Sequence, residues 1–380
     1  MRMTRRRIAV VLLGVACGLV FSAAGSAPAA SQHGVSAALE PWAASFVSPS
    51  TGFVLGGVGC QFGVNGVQRP CRPVVVATSD GGVRWRGVSA PPTTVEPIGV
   101  LGLSGPYVKA ITFANPRDGW LFGAGLWATH DGAKHWARVA IKGSVIAVVA
   151  SGGWAYATTY SVGAQGSLFR SPVAHDDWQP VAALAATVGS PIPLLAAYGR
   201  AAWVGVLPLN AKPPFAPDLW RSADGSHWQR IGNPCAGASE SLVSAAATSA
   251  TGLVMSCGGP EEIVTSADGG IHTRRITPPG NVVGRLAAPL GQSKIIVLDY
   301  PTNQAPPSGL PAHAQSWIDR TANDGRSWTR TPSNDRGVGW ADLQFVSATV
   351  AWVVHGFPGA PIDQLMRTTD TGATLNPVRF

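Results

Sequence analysis

The octapeptide TSDGGVRW, Thr78 to Trp85, returns in degraded form six more times, ending with TTDTGATL at Thr368–Leu375. The acid of the unit stands at Asp80, Asp131, Asp224, Asp268, Asp324 and Asp370, and a worn copy, SPVAHDDW, has Asp176 as its nearest acid. Successive spacings are 51, 45, 48, 44, 56 and 46 residues. A period this regular means that one supersecondary unit is copied seven times, and that each copy needs its neighbours to bury its apolar faces.

Every copy has the same lead-in. A β-rich segment folded at a tight turn (ITFANPRDGWLFG) precedes a short run into the repeated turn (LWATHDG), and a last short run leaves it (HWARV). Runs of four to six residues rich in Val, Ile, Trp and Phe, bounded by Gly, Pro and Asp, are strand signals. No stretch beyond residue 30 carries a helical period. The reading is all-β: a seven-bladed β-propeller of four-stranded antiparallel blades, in which stacking around a ring buries both faces of each sheet. All 14 Trp fall at repeat positions, as blade-to-blade packing requires.

Within a strict copy each residue type has a mechanical task. The Asp carboxylate accepts backbone N–H groups and locks the turn, and the Thr or Ser hydroxyl adds a local bond. Gly supplies positive φ. One carboxylate at each of several separate tips does not make the cluster of six to eight oxygens that calcium takes. Asp80, Asp131, Asp224, Asp268, Asp324 and Asp370 are therefore read as structural, with no metal and no cofactor expected.

The unit S/T-x-D-x-G-x-x-W after GW-x-x-G resembles the Asp-box, or BNR, repeat of sialidase-like propellers. Its lead-in is similar to propellers of the photosystem II stability and assembly factor type. The resemblance spans about Trp42 to Phe380 and implies a turn between third and fourth strands, at one rim and away from any catalytic centre. A sialidase of this fold would need an Arg triad, a Tyr–Glu nucleophile pair and an Asp acid, commonly announced by F-R-I-P. That motif is absent, and none of the five Glu has a Tyr partner by repeat position. A glycosidase pair of carboxyls about 5–10 Å apart stays open among Asp118, Asp218, Asp299, Asp319, Asp342 and Asp363. The resemblance favours a non-catalytic binding or assembly factor with a protein client. The alternatives are a secreted sialidase-like glycoside hydrolase and a structural cell-surface module.

The amino end points to export. Arg2, Arg5, Arg6 and Arg7 precede an apolar run from Ile8 to Phe21, and Ala27-Pro28-Ala29 follows as an A-x-A site, the pattern of a secretory signal peptide. The division is residues 1–30 signal peptide, 31–41 an N-terminal segment and 42–380 the propeller. Twin-arginine export and lipidation at Cys17 stay open as variants. Loss of the signal takes the formal charge from +8 to +4, because four Arg leave. No basic run survives, which argues against nucleic acid, and no later segment is long and apolar enough to span a bilayer. Cys60, Cys71, Cys235 and Cys257 remain, an even number in an oxidising compartment, and proximity favours Cys60–Cys71 and Cys235–Cys257.

Insertions in a repeat fold collect on the working face. The Pro-rich ones, Gly59–Pro73, Pro208–Pro217, Pro301–Ala314 and Phe357–Ile362, lie mostly between second and third strands, at the rim opposite the repeated turns. That rim would carry Arg69, Arg72, Lys212, Phe215, Glu261, Glu262, His313 and Asp363. Its mixed charge suits a protein or glycan of the cell envelope or exterior, bound by a monomer.

Overall fold

A computed structural model describes residues 39–58, 72–95, 107–161, 164–185, 191–207, 216–237, 241–258, 262–278, 286–287, 295–299, 317–332, 340–355 and 364–380. They form antiparallel blades, each built by strands in sequence order. Blade 1 holds β1 (Leu39–Phe46), β2 (Gly52–Val58), β3 (Val74–Thr78) and β4 (Arg86–Val88). Blade 2 holds β5 (Thr94–Val95), β6 (Tyr107–Phe113), β7 (Gly119–Gly123), β8 (Leu126–Thr129) and β9 (Ala137–Val139). Blade 3 holds β10 (Ser144–Ser151), β11 (Trp154–Ser161), β12 (Ala164–Pro172) and β13 (Gln179–Pro180), followed by a short helix α1 (Ala182–Ala185). Blade 4 holds β14 (Pro191–Tyr198), β15 (Ala201–Val206), β16 (Asp218–Ser222) and β17 (Trp228–Gly232). Blade 5 holds β18 (Ser241–Ala247), β19 (Leu253–Gly258), β20 (Glu262–Ser266) and β21 (Arg274–Ile276). Blade 6 holds β22 (Leu286–Ala287), β23 (Ile295–Asp299), β24 (Trp317–Thr321) and β25 (Thr329–Pro332). The last sheet holds β26 (Trp340–Phe345), β27 (Ala351–His355), β28 (Gln364–Thr368) and β29 (Asn376–Val378).

Seven uniform four-stranded blades are not what forms. Six sheets have four antiparallel strands, and blade 2 has five because β5 pairs parallel to β6, Thr94 opposite Tyr107 and Val95 opposite Val108. This strand is drawn from the connection after blade 1. It is short enough to leave no repeat signature, yet Val95 is buried in the core between blades 1 and 2.

The strands that open the antiparallel part of each sheet touch in succession, β1 to β6, β6 to β10, β10 to β14, β14 to β18, β18 to β22, β22 to β26 and β26 back to β1. Four of them carry a one-residue register shift at the same point, between Pro41 and Ala43, Val108 and Ala110, Val145 and Ala147, and Leu242 and Ser244. Such bulges bend a strand and sharpen its twist, which suits an inner strand that must curve around a ring.

Ring closure, which the sequence left undefined, is carried by packing rather than by strand exchange. Phe46 at the end of β1 stacks on Trp352 of β27, with ring centroids 3.8 Å apart and planes 4° from parallel. Gln344 Oε1 accepts the Phe46 N–H at 2.8 Å. Both rings are fully buried, so the joint between last and first sheets is as dry as the other joints.

Candidate functional site

The repeated turn forms one hydrogen-bonded knot. The Thr78 hydroxyl donates to Asp80 Oδ1 at 2.9 Å and accepts the Gly82 N–H at 2.9 Å, while Asp80 Oδ1 accepts the Arg84 N–H at 2.9 Å. The same pattern recurs at Thr129–Asp131, Ser266–Asp268 and Thr368–Asp370. Ser222–Asp224, one residue shorter, keeps the bond to the hydroxyl and takes N–H groups from Ser226 and His227. These bonds hold the carboxyls below the usual range. The leading cause is the Arg84 N–H for Asp80, the His227 N–H for Asp224 and the His272 N–H for Asp268. At Asp131, partial desolvation opposes ionisation and is outweighed by bonds from His135 and Thr129. Each ionised carboxylate is thus spent on its own turn.

Two copies depart from the expectation. In blade 6 the acceptor is Asn323, not Asp324: Thr321 Oγ1 donates to Asn323 Oδ1 at 2.9 Å, and the Ser327 N–H follows at 2.9 Å. The amide oxygen supplies the same lone pairs, so the lock survives without charge. Asp324 stands one residue on, at φ 59°, where four other turns place Gly81, Gly132, Gly225 and Gly269 and the last sheet places Thr371 at φ 62°. In blade 3 no acid follows Ser171 at that spacing. Asp176 instead reaches blade 2, where Trp120 Nε1 donates to its Oδ1 at 3.4 Å and His130 Nε2 lies 3.0 Å from its Oδ2.

The turns also glue one blade to the next. The turn aromatics Trp178 and Trp228 pack edge-on against Trp120 and Tyr156 of the preceding blade, while Trp85 and Trp136 pack edge-on against Phe46 and Phe113 of their own. Trp203 Nε1 donates to Gly269 O of the next turn at 3.0 Å. Arg170, Arg221 and Arg367 lie over Trp154, Trp203 and Trp352. From there Arg170 donates to Gly225 O and Ser226 Oγ, and Arg221 to Ala250 O. A methyl group built on Gly81 would sit 3.3 Å from the Arg367 guanidinium. These residues are scaffold, and only the Trp part of the scheme was evident from the repeats.

The opposite rim is where second-to-third turns and blade connections run. There Cys235 and Cys257 form a disulfide with Cα atoms 5.6 Å apart. Beside it Arg275 bonds Glu262 Oε2 at 2.5 Å and Ala236 O. In blade 4, Arg230 makes a two-pronged pair with Asp218, at 2.7 and 3.1 Å. Arg72 is exposed, at the start of the run into β3. The structure therefore brings Glu262 beside the disulfide and leaves Arg72 on blade 1. Arg69, Lys212, Phe215, Glu261, His313, Asp363, Cys60 and Cys71 lie outside the described residues.

Of the carboxyls open to glycosidase chemistry, the three whose side chains are described sit in local pairs; Asp363 and the side chains of Asp299 and Asp342 lie outside the described residues. Asp118 accepts Asn115 Nδ2 at 2.7 Å and faces His130 Nδ1 at 2.8 Å. Asp218 pairs with Arg230. Asp319 is fully buried against Arg330, and burial raises its pKa. These three acids stand on blades 2, 4 and 6, each with its own cation or ring nitrogen. Among the described residues no group of three or more His, Cys, Asp or Glu is placed to hold a metal, and no helix is long and apolar enough to cross a membrane.

The geometry defines a β-propeller with one rim knotted by hydroxyl–carboxylate turns. No family model and no curated protein sequence matches the chain. Solved structures do resemble it. YCF48 bound to D1 peptide is 16% identical with a TM-score of 0.54, over 87% of this chain and 94% of that one. YCF48 from Cyanidioschyzon merolae is 12% identical with a TM-score of 0.56, over 89% and 97%. The BP39L lectin from Burkholderia pseudomallei is 13% identical with a TM-score of 0.55, over 89% and 98%. At these identities the likeness is one of fold.

Proposed function

We propose that the protein is an exported, non-catalytic propeller that binds a protein partner through the rim opposite the repeated turns. One observation carries this reading. The acids of the locked turns are spent on backbone bonds and Asp118, Asp218 and Asp319 on local pairs, whereas the other rim presents Arg72, exposed, and Arg230 and Arg275, partly exposed beside Asp218 and Glu262. The structural likeness to a YCF48 bound to a D1 peptide supports a peptide or protein client. In this reading the turns are Asp boxes of the BNR kind, residues 1–30 are removed on export, and the remaining chain acts as a monomer.

The test uses the secreted chain. Its amino end is sequenced, and envelope proteins retained on it are compared between the wild type, Arg72→Glu and Arg230→Glu on one rim, and Arg84→Glu on the other. Loss of a retained partner with the first two variants only, at unchanged Tm, supports the assignment. Equal loss with Arg84→Glu overturns the choice of rim, and an intact signal segment on a cytosolic product overturns export. Turnover of fluorogenic glycosides that one carboxylate substitution abolishes overturns the non-catalytic reading.

A further inference from the structure

The repeat itself marks a second site, on the knotted rim and independent of the partner-binding face above. One cross-strand pair recurs beneath the turns: Tyr156 opposite Arg170, Trp203 opposite Arg221 and Trp352 opposite Arg367. In blade 5 the same register pairs Val254 with Thr265. Both the ring and the guanidinium are missing there, and a cleft of ≈ 740 Å³ opens over Val254 and Thr265, bounded by Asp268, His272, Arg274 and Asp324.

The acceptors that the missing arginine would serve remain. Arg170 donates to Gly225 O, the third residue after Ser222. The third residue after Thr321 is Asp324, and its carbonyl receives only a 3.4 Å contact from Arg274 of the outer strand. Asp324 adds a carboxylate, 3.6 Å from Arg274 Nη2, at a left-handed position that four other turns give to Gly. Asp268, also on the wall, is taken up by its own turn and by His272. The acceptors left to a ligand are the carbonyl and carboxylate of Asp324, which Arg274 meets only at 3.4 and 3.6 Å, and planar donors fit a carbonyl and a carboxylate together.

We propose that this cleft binds a guanidinium group, an arginine side chain presented by a peptide or protein, in the place that an internal arginine fills in blades 3, 4 and the last sheet. The probe is N-acetyl-arginine methylamide, with the citrulline analogue as its uncharged isostere, titrated while amide NMR shifts of Thr265, Asp268 and Asp324 are followed. Saturable shifts with the arginine compound, at least about tenfold weaker with citrulline or in Asp324→Asn, are expected. The double variant Val254→Trp/Thr265→Arg rebuilds the internal pair and is expected to abolish binding while raising Tm. Equal binding of both compounds, absence of saturable shifts, or shifts produced by methyl glycosides instead would overturn the proposal. So would a lowered Tm in the double variant, because the cleft would then not be the space that the pair occupies elsewhere.

Discussion

Trp352→Ala tests the closure of the ring. Trp352 is fully buried, stacks on Phe46 from the opposite end of the chain and lies under the Arg367 guanidinium, 5.2 Å from its centre. Truncating a buried Trp to Ala costs about 3–5 kcal/mol, of which about 0.5–1.5 kcal/mol is the ring-on-ring contribution. Unfolding entropy near 60 °C is about 2.1 cal/mol/K per residue, so about 340 residues give about 0.7 kcal/mol/K. The expected fall in Tm is about 4–7 °C, read by calorimetry. Trp203→Ala is the control, at an internal joint with the same register but with an added Nε1–H to Gly269 O bond. It should cost about 1 kcal/mol more. A fall below about 2 °C for Trp352→Ala beside a full fall for Trp203→Ala would refute the reasoning, since the last sheet would then not be docked on the first. A Phe46→Ala/Trp352→Ala cycle should return coupling of about 0.5–1.5 kcal/mol.

Three more outcomes follow from the same geometry. His130 bridges Asp118 and Asp176 between blades 2 and 3; desolvation disfavours its charged form, but the two carboxylates outweigh it and raise its pKa. Its stabilising contribution is therefore fully present below the unfolded value of about 6.5 and is lost as pH rises through the higher folded value; urea midpoints of the wild type should show that slope above about pH 6.5 and those of His130→Gln should not. Asn323→Ala removes the acceptor of the blade 6 turn and should cost about 1–2 kcal/mol, whereas Asp324→Gly relaxes a left-handed residue and should gain about 1 kcal/mol, both read from urea midpoints. Replacing Cys235 and Cys257 by Ser opens a bridge of sequence separation 22 and should cost about 3 kcal/mol; because both sulfurs are buried, thiol alkylation of the wild type should require reductant and denaturant together.

What could be read from the chain was whatever the repeat enforces. Strand order, the turn between third and fourth strands and the Trp positions follow from the repeat, whereas the Cys235–Cys257 bridge was one of three pairings, favoured only by proximity. Asp324 was misassigned because the acid, rather than the hydroxyl, set the register; counting two residues on from Thr321 reaches Asn323, whose amide oxygen serves equally well. β5 left no trace because a two-residue parallel pairing needs only a β-branched pair in a connection. The Arg column was present in the sequence as Arg170-Ser171, Arg221-Ser222, Arg320-Thr321 and Arg367-Thr368, immediately before the turn hydroxyl, and could have been found by aligning the copies on that hydroxyl. The His130 bridge was not legible, since Asp118 and Asp176 meet it from different blades.

That column gives the repeat a use beyond fold assignment. Copies of one unit face the same packing problem, so a copy that omits the common solution must hold its space in another way. Blades 1 and 2 keep the ring, Phe53 or Trp120, and set Ala77 or Ala128 opposite it. In blade 5 the ring is missing too, and the space is an open cleft whose hydroxyls, carboxylates and arginine are solvated by water. Val254 and Thr265 are thus accompanied by a polar wall in place of a ring and a guanidinium. That wall includes Asp324, displaced by one residue from the role its position in the motif suggested. Water held in such a cleft is exchangeable for a solute that carries the missing donors, which is why filling the cleft from within and occupying it from outside should exclude each other.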